Sequence, residues 1–197
     1  MAEKELDEGK RRFLLTATTV ATGVAASAAA VPFVASMLPS ERAKAAGAPV
    51  EVDVSKLGPG QKMVVEWRGK PVWVVRRTPE MLKAVQIDDA LVADPESKRS
   101  VQPPYAKNEF RSLKPEYLVL VGICTHLGCS PVDRLSPEPQ PFAADWHGGF
   151  YCPCHGSLFD LAGRVYKNKP APDNLTVPPY KFVSDTTLVI GEDTKGA

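Results

Sequence analysis

The sequence offers a partner almost no net charge. Among its 197 residues, 24 lysines and arginines stand against 23 aspartates and glutamates, a formal charge of +1, so nothing argues for a nucleic-acid partner. A glycine-rich phosphate loop, a nucleophile–base pairing, an internal repeat and paired carboxylates placed for catalysis are all missing. Nucleotide-dependent, hydrolytic and repeat readings lose their usual support with them. Charge-free runs long enough to cross a membrane are absent as well, with one exception at the N-terminus. Histidine and cysteine are scarce, at three and four residues, and their distribution is the most informative feature of the chain.

All four cysteines and two of the three histidines fall in two short segments, Cys124-Thr125-His126-Leu127-Gly128-Cys129 and Cys152-Pro153-Cys154-His155-Gly156-Ser157. Each offers a thiolate and an imidazole at close spacing, as Cys-x-His and Cys-x-x-His, plus one further cysteine. Two thiolates and two imidazoles match the mixed ligation of a 2Fe-2S cluster, with the cysteines on one iron and the histidines on the other. Four thiolates leave an oxidised cluster doubly negative and resistant to an incoming electron. Two thiolates and two neutral imidazoles leave it uncharged, which raises the potential to about −150 to +300 mV from roughly −400 mV. An iron-bound imidazole also keeps a titratable N–H on its other nitrogen, so electron and proton uptake couple. A structural zinc site or two plain disulfides are the alternatives. Four cysteines allow three pairings, and sequence does not choose among them. Zinc sites usually recur as Cys-x2–4-Cys pairs or closely spaced His pairs; Cys152-x-Cys154 falls outside that spacing and Cys124-x4-Cys129 stands only at its edge.

These two segments resemble those of the Rieske iron-sulfur proteins of cytochrome bc complexes. Rieske ferredoxins and ring-hydroxylating dioxygenases share the two short motifs but typically lack the additional cysteine pair. The resemblance implies one 2Fe-2S cluster, with Cys124 and Cys152 on one iron and His126 and His155 on the other, and a Cys129–Cys154 disulfide. It further implies that His155 meets the quinol and that Leu127 is the apolar shield beside the cluster. Ser157 would donate its hydroxyl to a bridging sulfide, favouring the reduced cluster. Pro170-Ala171-Pro172-Asp173-Asn174-Leu175 resembles the proline-rich loop that covers the cluster. One departure stands out: high-potential members carry a tyrosine where this chain has Phe159, so a lower potential is expected. The 25 residues between His126 and Cys152 read as an inserted surface loop, with His147 a solvated residue in it.

Phe13 to Leu38 is a run of 26 residues without a charge, longer than the roughly 20 that a membrane-spanning helix needs. Lys10-Arg11-Arg12 precedes it and predicts a cytoplasmic N-terminus with the body outside. Arg11-Arg12-Phe13-Leu14-Leu15 resembles a twin-arginine export signal, and the length of the run favours an uncleaved anchor. The expected organisation is a cytoplasmic tail (1–12), a transmembrane helix (13–38), a flexible hinge (39–49) and a body (50–197). The localisation that follows is the bacterial inner membrane, crossed once, with the body in the periplasm.

The body is β-rich. Met63–Trp67 and Val72–Val75 read as a hairpin around Arg68-Gly69-Lys70-Pro71, and Tyr117–Val121 and Gly149–Tyr151 as strands leading into the two cysteine segments. Phe182-Val183 and Thr187–Ile190 suggest closing strands. A helix is predicted over Pro79–Val85 with Thr78 as its N-cap, and 88–115 reads as an inserted surface region. An all-β domain of antiparallel sheets, with a small cluster-binding subdomain and a single N-terminal transmembrane helix, is the implied fold. The resemblance implies an electron-transfer subunit of a quinol–cytochrome c oxidoreductase. It would take one electron from quinol, with a proton on His155, and pass it to a c-type cytochrome. Its partners would be cytochrome b and a c-type cytochrome in a dimeric complex, and it would not be a complete enzyme alone. A Rieske subunit of a soluble exported oxidoreductase such as arsenite oxidase, and a zinc- or disulfide-stapled anchored binding domain, are the other two readings.

Overall fold

A computed structural model describes residues 7–193 of the chain. The predicted tail at 1–12 lies partly outside the described residues, and its remainder enters the first helix. Helix α1 spans Glu8–Ala35, because the Asp7 carboxylate caps it by accepting from the Gly9 and Lys10 amides, each at 3.1 Å. It therefore begins before the charge-free run and stops short of Leu38. None of its side chains is buried, and at 28 residues it is about 42 Å long, enough to cross a membrane. The Thr18 and Thr19 hydroxyls donate back to the Leu14 and Leu15 carbonyls at 2.6 and 2.8 Å, so neither needs water. A six-residue helix, α2, follows at Glu41–Ala46.

Chain contacts divide into one unit ending at Ala45 and another beginning at Ala46. Among the described residues the second unit holds three antiparallel sheets of three strands each. β1 (Val50–Asp53), β9 (Thr187–Ile190) and β8 (Tyr180–Phe182) form the first. β2 (Lys62–Trp67), β3 (Lys70–Arg76) and β4 (Tyr117–Val121) form the second. The third consists of β5 (Val132–Arg134), β6 (Gly149–Cys152) and β7 (Ser157–Phe159). The β2–β3 connection is tighter than expected. Only Arg68 and Gly69 turn, at φ 53° and 69°, the geometry of a type I′ hairpin, and Lys70 and Pro71 already pair with Trp67 and Glu66. Helix α3 (Pro79–Ile87) starts where predicted, with the Thr78 hydroxyl accepting from the Met81 amide.

The core lies between the sheets. Val72–Val75 and Leu118–Leu120 are buried on both faces, as a central strand and its neighbour should be. Trp73 stacks on Phe150 with ring centroids 4.9 Å apart, tying the second sheet to the third. Gly122 follows β4 directly under that indole. A Cβ there would stand 2.2 Å from Trp73 Cε2, so the chain can enter the first cysteine segment only without a side chain.

Residues 88–115 are not a surface insertion. They hold the buried Asp88, Val92, Asp94, Ser97, Ala106, Arg111 and Ser112, organised by hydrogen bonds and not by an apolar period. Arg111 donates to the carbonyls of Ala162, Gly163 and Leu175. Arg77 donates to those of Phe110, Pro115 and Leu161. Burial lowers both guanidinium pKa values to about 10, which leaves them charged at neutral pH. Buried charge is tolerated because Arg77 donates from all three of its guanidinium nitrogens and Arg111 from both of its terminal ones, which leaves only Arg111 Nε without an acceptor. The third buried arginine, Arg164, is paired with Asp160 at 2.7 Å and Asp89 at 2.8 Å.

Candidate metal centre

Each cysteine segment is a loop closed by its own backbone. In the first, the Cys124 amide donates to the Cys129 carbonyl at 2.7 Å and the Gly128 amide to the Cys124 carbonyl at 3.1 Å. Gly128 supplies the turn at φ 83°. In the second, Cys152 and Ser157 face each other as the last pair of β6 and β7, and the Gly156 amide donates to the Cys152 carbonyl at 2.9 Å. A Cys129–Cys154 disulfide joins the two loops.

Cys124 and Cys152 remain free and buried. The sulfurs of Cys129, Cys152 and Cys154 lie within 4.8 Å of one another, but two of these are spent in the disulfide, so the thiol donors are Cys124 and Cys152. Burial pushes the Cys124 thiol up, and the neighbouring Cys152 sulfur adds to the rise, while the backbone at His126 and the Ser157 hydroxyl oppose it. The His126 and His155 rings stand edge to face, centroids 4.7 Å apart. His155 is exposed, whereas His126 Nδ1 is buried without a hydrogen-bond partner. An orphaned buried nitrogen costs about 1–3 kcal/mol, unless its lone pair binds a metal. Two buried thiols, a second imidazole and this nitrogen fit the donor set of a mixed-ligand cluster.

Leu127 is 71% exposed beside these histidines. Above the loops runs the segment 170–175, fixed by two contacts that the sequence did not suggest. Thr125 Oγ1 donates to the Asp173 carbonyl at 2.6 Å, and the Ala171 amide donates to Ser157 Oγ at 3.0 Å. A hydroxyl between two ligand candidates, and an asparagine closing a proline run, were the only available signals for this latch. Phe159 is fully buried in β7 opposite Phe150.

His147 is not a solvated loop residue. Its Nδ1 lies 2.7 Å from Asp88 Oδ1, and Tyr166 donates to the same carboxylate at 2.8 Å. Desolvation raises the Asp88 carboxyl, with these two partners pulling the other way. The span between the cysteine segments contains β5 and an aromatic cluster, where Phe142 stacks on Tyr151 at 4.1 Å and meets Trp146 at 5.4 Å. It is folded structure and not an appended loop.

Two family models match the chain: a Rieske [2Fe-2S] domain over residues 99–181 and a "Ubiquitinol-cytochrome C reductase Fe-S subunit TAT signal" over residues 1–40. The chain is 57% identical over 197 residues to the ubiquinol-cytochrome c reductase iron-sulfur subunit of Allochromatium vinosum, covering 100% of this chain and 95% of that protein. The chain belongs to that family of Rieske subunits. The corresponding subunit of Bradyrhizobium diazoefficiens is 42% identical over 183 residues, covering 92% and 94% of the two chains. A solved chain described as "Hyperthermophilic respiratory Complex III" is 28% identical and covers 88% of this chain and 98% of its own length, at a TM-score of 0.47. The fold agrees with membership: an all-β Rieske domain preceded by one apolar helix long enough to span a membrane. The cofactor of the family is a Rieske 2Fe-2S cluster, and of the three readings membership favours the bc-complex subunit.

Proposed function

We propose that this chain is the electron-transfer subunit of a quinol–cytochrome c oxidoreductase, with Cys124 and Cys152 holding one iron of the cluster and His126 and His155 the other. The observation that carries the ligand assignment is the buried, unpartnered Nδ1 of His126. When bound, the cluster supplies a one-electron acceptor whose imidazole ligands link reduction to protonation. His155 is the exposed imidazole, so its outer ring nitrogen accepts the quinol hydroxyl proton and later releases it to solvent. Leu127 gives the quinol ring an apolar surface beside that nitrogen and keeps water from it. The Cys129–Cys154 disulfide holds the loops, and therefore both imidazoles, at a fixed separation. Cytochrome b completes the quinol pocket and a c-type cytochrome takes the electron onward, in a dimeric assembly. Lys10, Arg11 and Arg12 ahead of the apolar run support a cytoplasmic N-terminus and a periplasmic Rieske domain, with residues 39–49 as the hinge.

Low-temperature EPR of ascorbate-reduced membranes tests this reading. A rhombic Rieske signal is expected, with a line shape that changes when an inhibitor occupies the quinol-oxidation pocket. His155→Ala is expected to abolish the signal or quinol oxidation. Quinol oxidation at the normal rate in that variant would overturn the role of His155.

A further inference from the structure

A line of aromatic rings starts one residue from a candidate iron ligand. Tyr151 precedes Cys152 in β6, and its ring stacks on Phe142 with centroids 4.1 Å apart. Phe142 meets the buried Trp146 edge to face at 5.4 Å, and Trp146 stacks on Tyr166 at 6.0 Å. The line ends at a cleft of about 420 Å³ lined by Phe142, Trp146, Tyr166 and Lys167, where solvent reaches the half-buried Tyr166.

Indole and phenol are the aromatic side chains that part readily with one electron. A phenol does so only if its proton leaves at the same moment, because the oxidised phenol is a strong acid. That transfer needs a base within about 2.6–3.2 Å. Tyr166 has one, since its hydroxyl donates to Asp88 Oδ2 at 2.8 Å. Asp88 is fully buried, and desolvation raises its carboxyl, so it takes a proton more readily than an exposed carboxylate. His147 Nδ1, 2.7 Å from the other oxygen, keeps the carboxylate in place. Trp146 Nε1 donates to the Arg134 carbonyl at 2.8 Å, and a carbonyl is too weak a base to take that proton. An electron vacancy on the indole therefore moves on. Among the described residues, Tyr166 is the one ring of the four that donates to a carboxylate, and the vacancy comes to rest there.

We propose that Tyr151, Phe142, Trp146 and Tyr166 form a relay that draws oxidising equivalents away from the two cysteine segments, with Asp88 as the proton acceptor at its end. The inference rests on the reading of Cys152 as an iron ligand. The oxidant is the hydroxyl radical that peroxide yields on meeting ferrous iron. It takes one electron at the Tyr151 end of the line and becomes hydroxide. The vacancy passes through the rings to Tyr166, whose O–H bond breaks as the proton moves to Asp88 Oδ2. A neutral tyrosyl radical and a protonated Asp88 remain. A soluble one-electron reductant such as ascorbate, entering by the cleft, restores the phenol as Asp88 returns the proton.

The test adds hydrogen peroxide to the purified full-length chain, its cluster reduced and the reductant removed, and follows it by freeze-quench EPR and by mass spectrometry. Wild type is expected to give a radical with a tyrosyl line shape, lost in Tyr166→Phe and diminished in Trp146→Phe and Asp88→Asn. Sulfinic and sulfonic acids at Cys124 and Cys152 are expected to accumulate severalfold faster in Tyr166→Phe than in wild type. The same radical in Tyr166→Phe, or equal cysteine oxidation in the two proteins, would overturn the relay. An undiminished radical in Asp88→Asn would remove Asp88 as the proton acceptor. A second arm generates the oxidant from photoexcited tris(bipyridine)ruthenium and persulfate, which needs no iron. If wild type shows no Rieske signal before peroxide, the cluster reading falls and the protective role with it. The photochemical arm then decides the line of rings alone: a tyrosyl in wild type that Tyr166→Phe lacks supports it, and no difference removes it. If Tyr166→Phe loads no cluster, Trp146→Phe takes its place with the same deciding outcomes.

Discussion

Phe159 fills its site completely, fully buried at the end of β7. Its ring can pack but cannot donate, and donation to a ligand sulfur stabilises the reduced cluster. Phe159→Tyr is therefore expected to raise the reduction potential in a redox titration beside wild type, and an unchanged or lower value would refute the donor argument. Asp94 shows the same logic acting on stability. Burial alone would raise its carboxyl, but the Lys98 and Arg99 amides and the Ser100 hydroxyl all donate to it and hold its pKa below the ordinary value. A depressed carboxylate stabilises the fold above its unfolded pKa of about 4 and loses that contribution as pH falls through the folded value. Asp94→Asn should accordingly melt below wild type at pH 7, and the gap should narrow as the pH drops below about 4. Melts in a pH series decide it; a constant gap would show that the donors contribute shape and not charge stabilisation.

Each element that presents a ligand candidate is a strand end closed by a short loop, and the disulfide makes the two loops one object. In the chain-entropy account, a cross-link across a loop of this size contributes about 2–4 kcal/mol. The paired change Cys129→Ser and Cys154→Ser should lower the temperature at which the cluster's visible circular dichroism is lost. Equal loss temperatures would mean that the metal alone holds the loops. The elements that sequence reading found each carry a local signal: β3 and β4 bury apolar side chains in runs, β9 buries alternate ones, and α3 carries its cap and its proline at the expected positions. The short strands β5 and β7 bury too few residues to show a period. The region 88–115 was misread because polar groups stabilise it. Arg111, Asp94 and Asn174 look like surface residues in a sequence, and only their partners, more than sixty residues away for several of the bonds, make them interior. His147 escaped for the same reason, since its partner Asp88 lies in another part of the chain. The four cysteines and two of the histidines could be read at once because so few others diluted them, whereas the latches on the covering segment run through main-chain atoms that no motif records.

On the scale of the molecule, an anchor unit and a cluster-bearing unit are joined through α2 and its flanks. A six-residue helix is marginal in water on its own, and α2 has the Ser40 hydroxyl accepting from the Ala43 amide at 3.2 Å and the exposed Lys44–Glu41 pair at 2.7 Å. Such pairs contribute at most about 1 kcal/mol. In the proposed reading the body visits a quinol pocket and then a cytochrome, and a linker of this kind would let it bend at little cost. Proline fixes φ and removes an amide donor, so Ala43→Pro together with Ala45→Pro stiffens the linker while leaving the body from Val50 onward untouched. Quinol-driven cytochrome c reduction is expected to slow, with the EPR spectrum and potential of the cluster unchanged, since no ligand or donor is near the substitutions in sequence. A slowed rate with an altered spectrum would place the defect in the cluster. Normal turnover in the stiffened protein would mean that the electron leaves without the body moving, and the hinge would then be only a spacer.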